Sequence, residues 1–98
     1  DWQGKVKNIE ELLKLHLLPL NENARVTDTR VLGSIGVVET KTAVNVANIQ
    51  KHFVKAGVWI RPFGKLIYIM PPLVITEEEI ITLVNGIASA LKIPECFE

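Results

Sequence analysis

Residues 57–72 decide the fold of this chain, and their sequence is Gly-Val-Trp-Ile-Arg-Pro-Phe-Gly-Lys-Leu-Ile-Tyr-Ile-Met-Pro-Pro. Two short apolar runs, 58–60 and 66–70, are rich in β-branched and aromatic residues and flank a segment with turn chemistry. Pro62 presets the backbone φ angle at the second position of a turn, and Gly64 is tolerated at the fourth. The stretch therefore predicts a β-hairpin, which Pro71-Pro72 then release from the sheet.

Arg61 lies where the first strand of this hairpin meets the turn. Its neighbours in the sequence are more apolar than those usually found around a guanidinium, so the position predicts an anionic partner. A four-residue loop, 62–65, would pair Arg61 with Leu66 and Trp59 with Tyr68. Because side chains alternate along a strand, that register places Arg61, Trp59 and Tyr68 on one sheet face.

Before the hairpin, the sequence predicts two helices. Apolar residues recur at helical spacing over residues 6–18, and Pro19 stops the helix there. A second, short helix begins after the N-cap Asn45 and ends at Gly57, a left-handed C-cap. Its expected buried stripe consists of four apolar residues: Val46, Ile49, Phe53 and Val54.

After the hairpin, Thr76 and Glu79 have the spacing of a capping box, which predicts the start of a third helix. The acidic run 77–79 is interpreted as a solvated first turn rather than a metal cluster, because adjacent helical residues point about 100° apart. Pro94 lies beyond the end of the helix. Its expected buried face is Ile80, Leu83, Val84, Ile87, Ala88 and Leu91.

The segment 26–38 is β-branched and is interrupted by Gly33 and Gly36. We interpret it as one long bent strand whose glycines make room for neighbours, since it lacks the lysine and following helix of a phosphate loop. His16 is expected to be a partly buried structural residue and His52 a surface residue. Neither histidine is assigned any chemistry.

Length and composition limit the function. Ninety-eight residues form a single domain, and eleven basic against eleven acidic residues leave no basic surface for nucleic acid. Cys96 has no cysteine or histidine beside it, so neither a disulfide nor a zinc site is expected. No membrane span or secretory signal is present, and we expect a cytoplasmic location. The chain lacks an initiator Met, which suggests a piece of a longer protein.

The order helix, strand, helix, hairpin, helix predicts an α+β fold with a small, mainly antiparallel sheet of three or four strands and helices packed against it. The run 66–70 is apolar at every position. Such a run is typical of a strand that is covered on both faces.

Residues 58–68, the following Met70-Pro71-Pro72 and the segment 30–39 together resemble the carboxy-terminal part of the adenosylmethionine-8-amino-7-oxononanoate aminotransferase family, class III pyridoxal-phosphate enzymes. The resemblance extends from about residue 26 to residue 91. It implies the carboxy-terminal small domain of a fold-type I aminotransferase. It also implies a homodimeric enzyme of biotin biosynthesis that transfers an amino group from S-adenosylmethionine to 8-amino-7-oxononanoate.

In that family the Schiff-base lysine and the pyridoxal-phosphate pocket belong to a large domain upstream of the part this chain resembles. The resemblance therefore implies that the isolated chain holds no cofactor, has no catalytic residue and is inactive. Arg61 matches the arginine that binds the substrate carboxylate, and Tyr68 matches a residue at the edge of the substrate site. Leu73 departs from the family, in which an aromatic residue is common there.

Alternatives remain for each assignment. Arg61 could instead pair with a glutamate at a domain interface, and Tyr68 could be a core residue with a hydrogen-bonded hydroxyl. The chain could also belong to another class III ω-aminotransferase that uses a different amino donor. A stand-alone binding module of ferredoxin-like shape is the alternative that is not an enzyme.

Overall fold

The computed structural model describes residues 2–56, 60–72 and 74–98. Three α-helices lie in this part of the chain: α1 (Trp2–Leu17), α2 (Val46–Ala56) and α3 (Glu77–Ala90). Its four strands are β1 (Val26–Leu32), β2 (Ile35–Thr40), β3 (Ile60–Phe63) and β4 (Leu66–Ile69). Short 3-10 turns follow α1 (Leu18–Glu22) and α3 (Pro94–Cys96). The α+β prediction is confirmed.

The four strands form one antiparallel sheet in the order β1-β2-β4-β3. It consists of two hairpins, β1–β2 and β3–β4, joined by the pairing of β2 with β4. Each hairpin closes with a two-residue loop whose first residue is a glycine, Gly33 or Gly64, with φ of 59°. Glycine with positive φ at that position is typical of a type II′ turn, whose twist matches that of the flanking strands.

The prediction of one long bent strand over residues 26–38 was wrong. Gly33 makes a turn, so this segment lies in two paired strands. The interpretation of Gly36 is confirmed: a Cβ atom added there would lie 2.6 Å from Cδ2 of Leu17. Gly36 thus allows α1 to approach the centre of the sheet.

The predicted register of the second hairpin was also wrong. Arg61 pairs with Tyr68 and Phe63 with Leu66, which leaves only Gly64 and Lys65 in the loop. The error came from placing Pro62 in the turn. Pro62 lies within β3, an edge strand of the sheet, where a missing N–H group is tolerated. Trp59 lies outside the described residues, as do Gly57 and Val58.

The core lies between the inner face of the sheet and the three helices. From the sheet it takes Val38, Ile60, Ile67 and Ile69, all of which are buried. Helix α1 contributes every fourth residue along one line: Ile9, Leu13 and Leu17. Residues of α3 and the C-terminal turn close the core: Ile80, Leu83, Val84, Ile87, Ala90, Leu91, Cys96 and Phe97.

Helix α3 begins as predicted. The backbone N–H of Glu79 donates to the Thr76 hydroxyl at 3.2 Å, and the backbone N–H of Thr76 donates to the Glu79 carboxylate at 3.0 Å. The predicted buried face is correct except at Ala88, which is half-buried. Gly86 and Ala90 are buried in addition. None of the helices in the described residues has the length and hydropathy that a membrane crossing requires.

Helix α2 has the predicted N-cap, because the backbone N–H of Asn48 donates to the Asn45 side chain at 3.2 Å. Only Ile49 and Phe53 of its predicted stripe are buried, whereas Val46 and Val54 are exposed. Ile49 and Phe53 are four residues apart and lie on one line of the helix. Val54 follows Phe53 at about 100° around the axis, which turns it away from the sheet.

We call the opposite side of the sheet, which carries Arg30, Val37, Arg61 and Tyr68, the outer face. Strand β4 and the residue after it were predicted to be covered on both faces. Within the described residues Ile67 and Ile69 are buried on the inner face, but Tyr68 is half-buried and Met70 is exposed on the outer face. The helices cover one face only.

Candidate functional site

One row of side chains crosses the outer face through all four strands. Arg30 of β1 pairs with Val37 of β2, Val37 with Tyr68 of β4, and Tyr68 with Arg61 of β3. Residues directly opposite in an antiparallel pair have Cβ atoms about 5 Å apart. The sheet therefore places Arg61 and Tyr68 side by side.

The shared face of Arg61 and Tyr68 agrees with the sequence prediction although the predicted register was wrong. The expected pairing of Arg61 with Leu66 and the observed pairing with Tyr68 differ by two residues. Because side chains alternate with period two, a two-residue shift leaves every side chain on its predicted face. Only the neighbour directly across from Arg61 changed.

The turn next to Arg61 is tied to the end of β2. The backbone N–H groups of Thr40 and Val44 donate to the carbonyls of Lys65 and Gly64, each at 2.7 Å. Thr40 is buried, with 1% of the residue exposed. Its hydroxyl lies within hydrogen-bond distance of the carbonyl oxygens of Lys65 and Thr42. These contacts hold the hairpin tip, and with it β3, at a fixed position on the sheet.

Arg61 borders an open groove between α2 and the β3–β4 hairpin, with a volume of about 1010 Å³. The groove is lined by Gln50, Val54, Ile60, Arg61, Pro62, Phe63, Tyr68 and Met70. Arg61 is exposed and has no ion pair or hydrogen bond to the described residues. A guanidinium in this position can bind a carboxylate through two parallel charge-assisted hydrogen bonds.

Arg30, at the other end of the row, is already paired. Its Nη1 atom donates to Oδ2 of Asp28 at 2.8 Å and to Oε1 of Glu39 at 3.1 Å. The hydrogen bonds to Glu39 and then to Asp28 raise the pKa of Arg30. Arg30 is therefore occupied by carboxylates of its own sheet, whereas Arg61 is available to a ligand.

The histidines differ from each other in their surroundings. His16 is half-buried as predicted, and its Nε2 lies 2.8 Å from Oε2 of Glu77, which links α1 to the first turn of α3. His52 was predicted at the surface but is half-buried, and its Nε2 is buried without a hydrogen-bond partner in the described residues. The sequence prediction grouped His52 with the basic residues Lys51 and Lys55 in the later turns of the helix, where positive charges suit the helix dipole and face water.

The described part of the chain offers no metal site. It contains no group of three or more histidine, cysteine or acidic side chains that could hold a metal ion. Cys96 is buried, and burial raises the pKa of its thiol. The lysines whose side chains are described are all exposed: Lys5, Lys7, Lys14, Lys41, Lys51, Lys65 and Lys92. These lysines do not fit a pocket for a cofactor aldehyde, and the Lys55 side chain lies outside the described residues.

Comparison with known proteins gives a consistent result. Residues 1–91 match the family described as aminotransferase class-III. The adenosylmethionine-8-amino-7-oxononanoate aminotransferase of Buchnera aphidicola subsp. Acyrthosiphon pisum is 51% identical over 96 residues, which are 98% of this chain and 22% of that protein. The Corynebacterium glutamicum protein of the same name is 44% identical over 91 residues, or 93% of this chain and 22% of that protein.

Solved structures show the same fold. A structure described as a transaminase with L-ala superposes with a TM-score of 0.81 at 20% identity, over 94% of this chain and 24% of that one. Adenosylmethionine-8-amino-7-oxononanoate aminotransferase from Methanocaldococcus jannaschii superposes with a TM-score of 0.74 at 27% identity, over 91% of this chain and 24% of that one. The resemblance inferred from residues 30–39 and 58–72 is confirmed. The chain spans about a fifth of the length of the curated relatives it matches.

Proposed function

Since the chain belongs to the class-III aminotransferase family, we propose that it is the carboxy-terminal small domain, residues 1–98, of a longer pyridoxal-phosphate enzyme. That enzyme transfers an amino group from S-adenosylmethionine to 8-amino-7-oxononanoate and gives 7,8-diaminononanoate in biotin biosynthesis. Identity of 51% over 98% of the chain to a relative of that name supports this choice of reaction. A large domain and a second subunit complete the enzyme.

The domain contributes recognition of the substrate carboxylate. The observation that carries this proposal is Arg61, which is exposed, borders the groove and has no partner among the described residues. Its guanidinium donates two parallel hydrogen bonds to the carboxylate, each contributing about 1.5–3 kcal/mol. The hydrogen bonds of the hairpin tip to Thr40 and Val44 hold β3, which carries Arg61, in place on the sheet.

Tyr68 supports Arg61 from the neighbouring strand. Its ring packs against the methylene chain of the keto acid, while its hydroxyl can donate a further hydrogen bond to the carboxylate. Half-burial of Tyr68 and its place in the groove lining are consistent with both contacts. Together the two side chains set the direction in which the substrate extends from its carboxylate.

Pyridoxal phosphate, when bound by the complete enzyme, acts as the electron sink for amino transfer. The described residues of this chain do not fit its aldehyde, because their lysines are exposed and none of them lines the groove that Arg61 borders. The work of this chain is to bind and orient the substrate. By itself it is inactive.

The test is steady-state kinetics of the complete enzyme with Arg61→Ala and Arg61→Lys. The carboxylate lies several bonds from the reacting carbon, so its loss raises KM more than it lowers kcat. Arg61→Ala should weaken keto-acid binding by about 2–4 kcal/mol, roughly a 30- to 1000-fold rise in KM. Arg61→Lys should recover only part of the lost keto-acid affinity, because an ammonium group lacks the planar fork of a guanidinium.

Two controls make this test specific. Arg25→Ala removes a positive charge that stacks over Phe97, away from the groove, and should leave KM unchanged. A keto substrate with an esterified carboxylate should lose little affinity from Arg61→Ala. If the ester loses as much as the free acid, or if KM of the acid is unchanged, Arg61 does not bind the carboxylate. Assays with S-adenosylmethionine against alanine as donor test the proposed reaction.

A further inference from the structure

We propose that Thr40 is a positioning residue for substrate binding, because its hydroxyl holds the β3–β4 turn in the place from which Arg61 reaches the carboxylate. This inference rests on the proposed function for the role of Arg61. It adds that affinity for the carboxylate depends on a residue of β2 that does not line the groove.

Strand β3 depends on its turn for support. It is an edge strand of four residues, and within the described part of the chain it pairs with β4 alone. Its third residue, Pro62, has no N–H group to donate to a neighbouring strand. Arg61 lies three residues before Gly64, about 10 Å along the strand. A shift of the turn therefore moves the guanidinium, and a misplacement of about 1 Å can cost about 100-fold in rate.

The turn is held at two adjacent carbonyl oxygens, and Thr40 contacts one of them twice. The Lys65 carbonyl accepts a hydrogen bond from the backbone N–H of Thr40 at 2.7 Å and lies 3.1 Å from its hydroxyl. The Gly64 carbonyl accepts from the backbone N–H of Val44, also at 2.7 Å. The Thr40 hydroxyl also lies 2.7 Å from the Thr42 carbonyl. Since a hydroxyl has one proton, that proton is shared between the turn and the segment that leads to Val44.

The segment 40–45, which carries these donors, is itself fixed to the C-terminal end of the domain. The backbone N–H of Asn45 donates to the Cys96 carbonyl at 2.7 Å, and that of Glu98 donates to the Ala43 carbonyl at 2.8 Å. The segment therefore has a defined position between the C-terminal turn and the hairpin. The Thr40 hydroxyl transmits this position to the β3–β4 turn.

Burial makes the Thr40 hydroxyl difficult to replace by water. Thr40 is buried, so a carbonyl that loses this donor cannot accept a hydrogen bond from solvent instead. Valine has the shape of threonine and lacks only the hydroxyl. Thr40→Val should therefore loosen the turn without opening a cavity.

Steady-state kinetics of the complete enzyme test this assignment. Thr40→Val should raise KM of the free keto acid about 3- to 10-fold, the scale of one hydrogen bond, and should change kcat less. Thr40→Ser keeps the hydroxyl and should restore most of the affinity. Thr29→Val is the matched control, because Thr29 is also a buried threonine but lies in β1, at the sheet edge opposite β3. This control should leave KM unchanged.

A double variant separates positioning from a general structural effect. In the Arg61→Ala background, Thr40→Val should raise KM no further, because the hydroxyl acts through Arg61. A keto substrate with an esterified carboxylate should likewise be insensitive to Thr40→Val. If Thr40→Val folds poorly, Thr40→Cys, whose thiol is a weaker donor, replaces it in the same comparisons.

An unchanged KM in Thr40→Val would overturn the inference, and so would an equal rise in both backgrounds or in Thr29→Val. Arg61→Ala alone decides the proposed function. If it raises KM while Thr40→Val has no effect, this inference is refuted and the carboxylate role of Arg61 stands. If Arg61→Ala leaves KM unchanged, the carboxylate role is refuted and the inference with it.

Discussion

Replacing Gly36 by alanine tests how α1 packs on the sheet. Gly36 lies in the central strand β2, and the added Cβ would be 2.6 Å from Cδ2 of Leu17 and 3.7 Å from both terminal methyl groups of Leu13. Leu17 is fully buried, so its methyl group cannot move into solvent. Either Leu17 changes rotamer within the packed core or α1 moves away from the sheet.

The size of the effect follows from two opposing terms. Overpacking a core by one methyl group costs about 1–3 kcal/mol. Alanine also reduces the conformational freedom of the unfolded chain, which stabilises the folded state by about 0.4–1 kcal/mol. Gly36→Ala should therefore lower the free energy of unfolding by about 0.5–2 kcal/mol.

The assay is urea unfolding of single and double variants. Leu17→Ala removes the opposing methyl group and alone should cost about 2–5 kcal/mol. In that background Gly36→Ala should be neutral or stabilising. Gly64→Ala is the control: its Cβ would meet nothing within 4 Å, and its cost comes from a φ of 59°. That cost should be equal in both backgrounds, since distant sites are additive. If Gly36→Ala costs the same with and without Leu17, the contact is not the reason that glycine is required.

Two further predictions concern α3 and the C-terminal turn. Thr76→Ala removes the capping box and should lower the free energy of unfolding, measured in urea, by about 0.5–2 kcal/mol. Thr76→Ser keeps the hydroxyl and should retain most of the stability. Equal losses for the two variants would contradict the role of the hydroxyl. Because burial raises the pKa of the Cys96 thiol, the folded state is favoured below the unfolded-state pKa of about 8.5 and loses stability as pH rises above it. Because Cys96 is buried, a thiol reagent at pH 7 should label it much more slowly in the folded protein than in urea, and equally rapid labelling of the folded protein would refute its burial.

Local chemistry was sufficient to predict three helices and the starts of α2 and α3. Thr76 and Glu79 lie close together in the chain, as do Asn45 and Asn48, so capping depends on neighbours that the sequence shows directly. The shared sheet face of Arg61 and Tyr68 was also predictable. Side chains alternate with a period of two residues, so an error of two residues in the strand register leaves each side chain on the same face. The resemblance is the source of the role proposed for Arg61, which no periodicity could have indicated.

The two errors in the strands arose where strand pairing decides the structure. A glycine between β-branched residues is compatible with a bulge or with a turn, and only the pairing of Leu32 with Ile35 distinguishes them at Gly33. Pro62 has the φ angle of a turn and equally that of an edge strand, and the place of β3 in the sheet decides between them. His52 was assigned to the surface with Lys51 and Lys55, because cations suit the last turns of a helix, but its Nε2 is buried.

The strand order has a consequence for the way this domain folds. Each hairpin is closed by a two-residue turn and needs only local contacts, so both can form within microseconds. The pairing of β2 with β4 joins strands that are separated in the sequence by α2. The chain between them loses conformational entropy when it closes, before the two strands gain any pairing energy. We expect pairing of β2 with β4 to be slower than closure of either hairpin. Val37 and Tyr68 face each other across the β2–β4 pair, so the row that ends in Arg61 contains residues of both hairpins and exists only once they have paired.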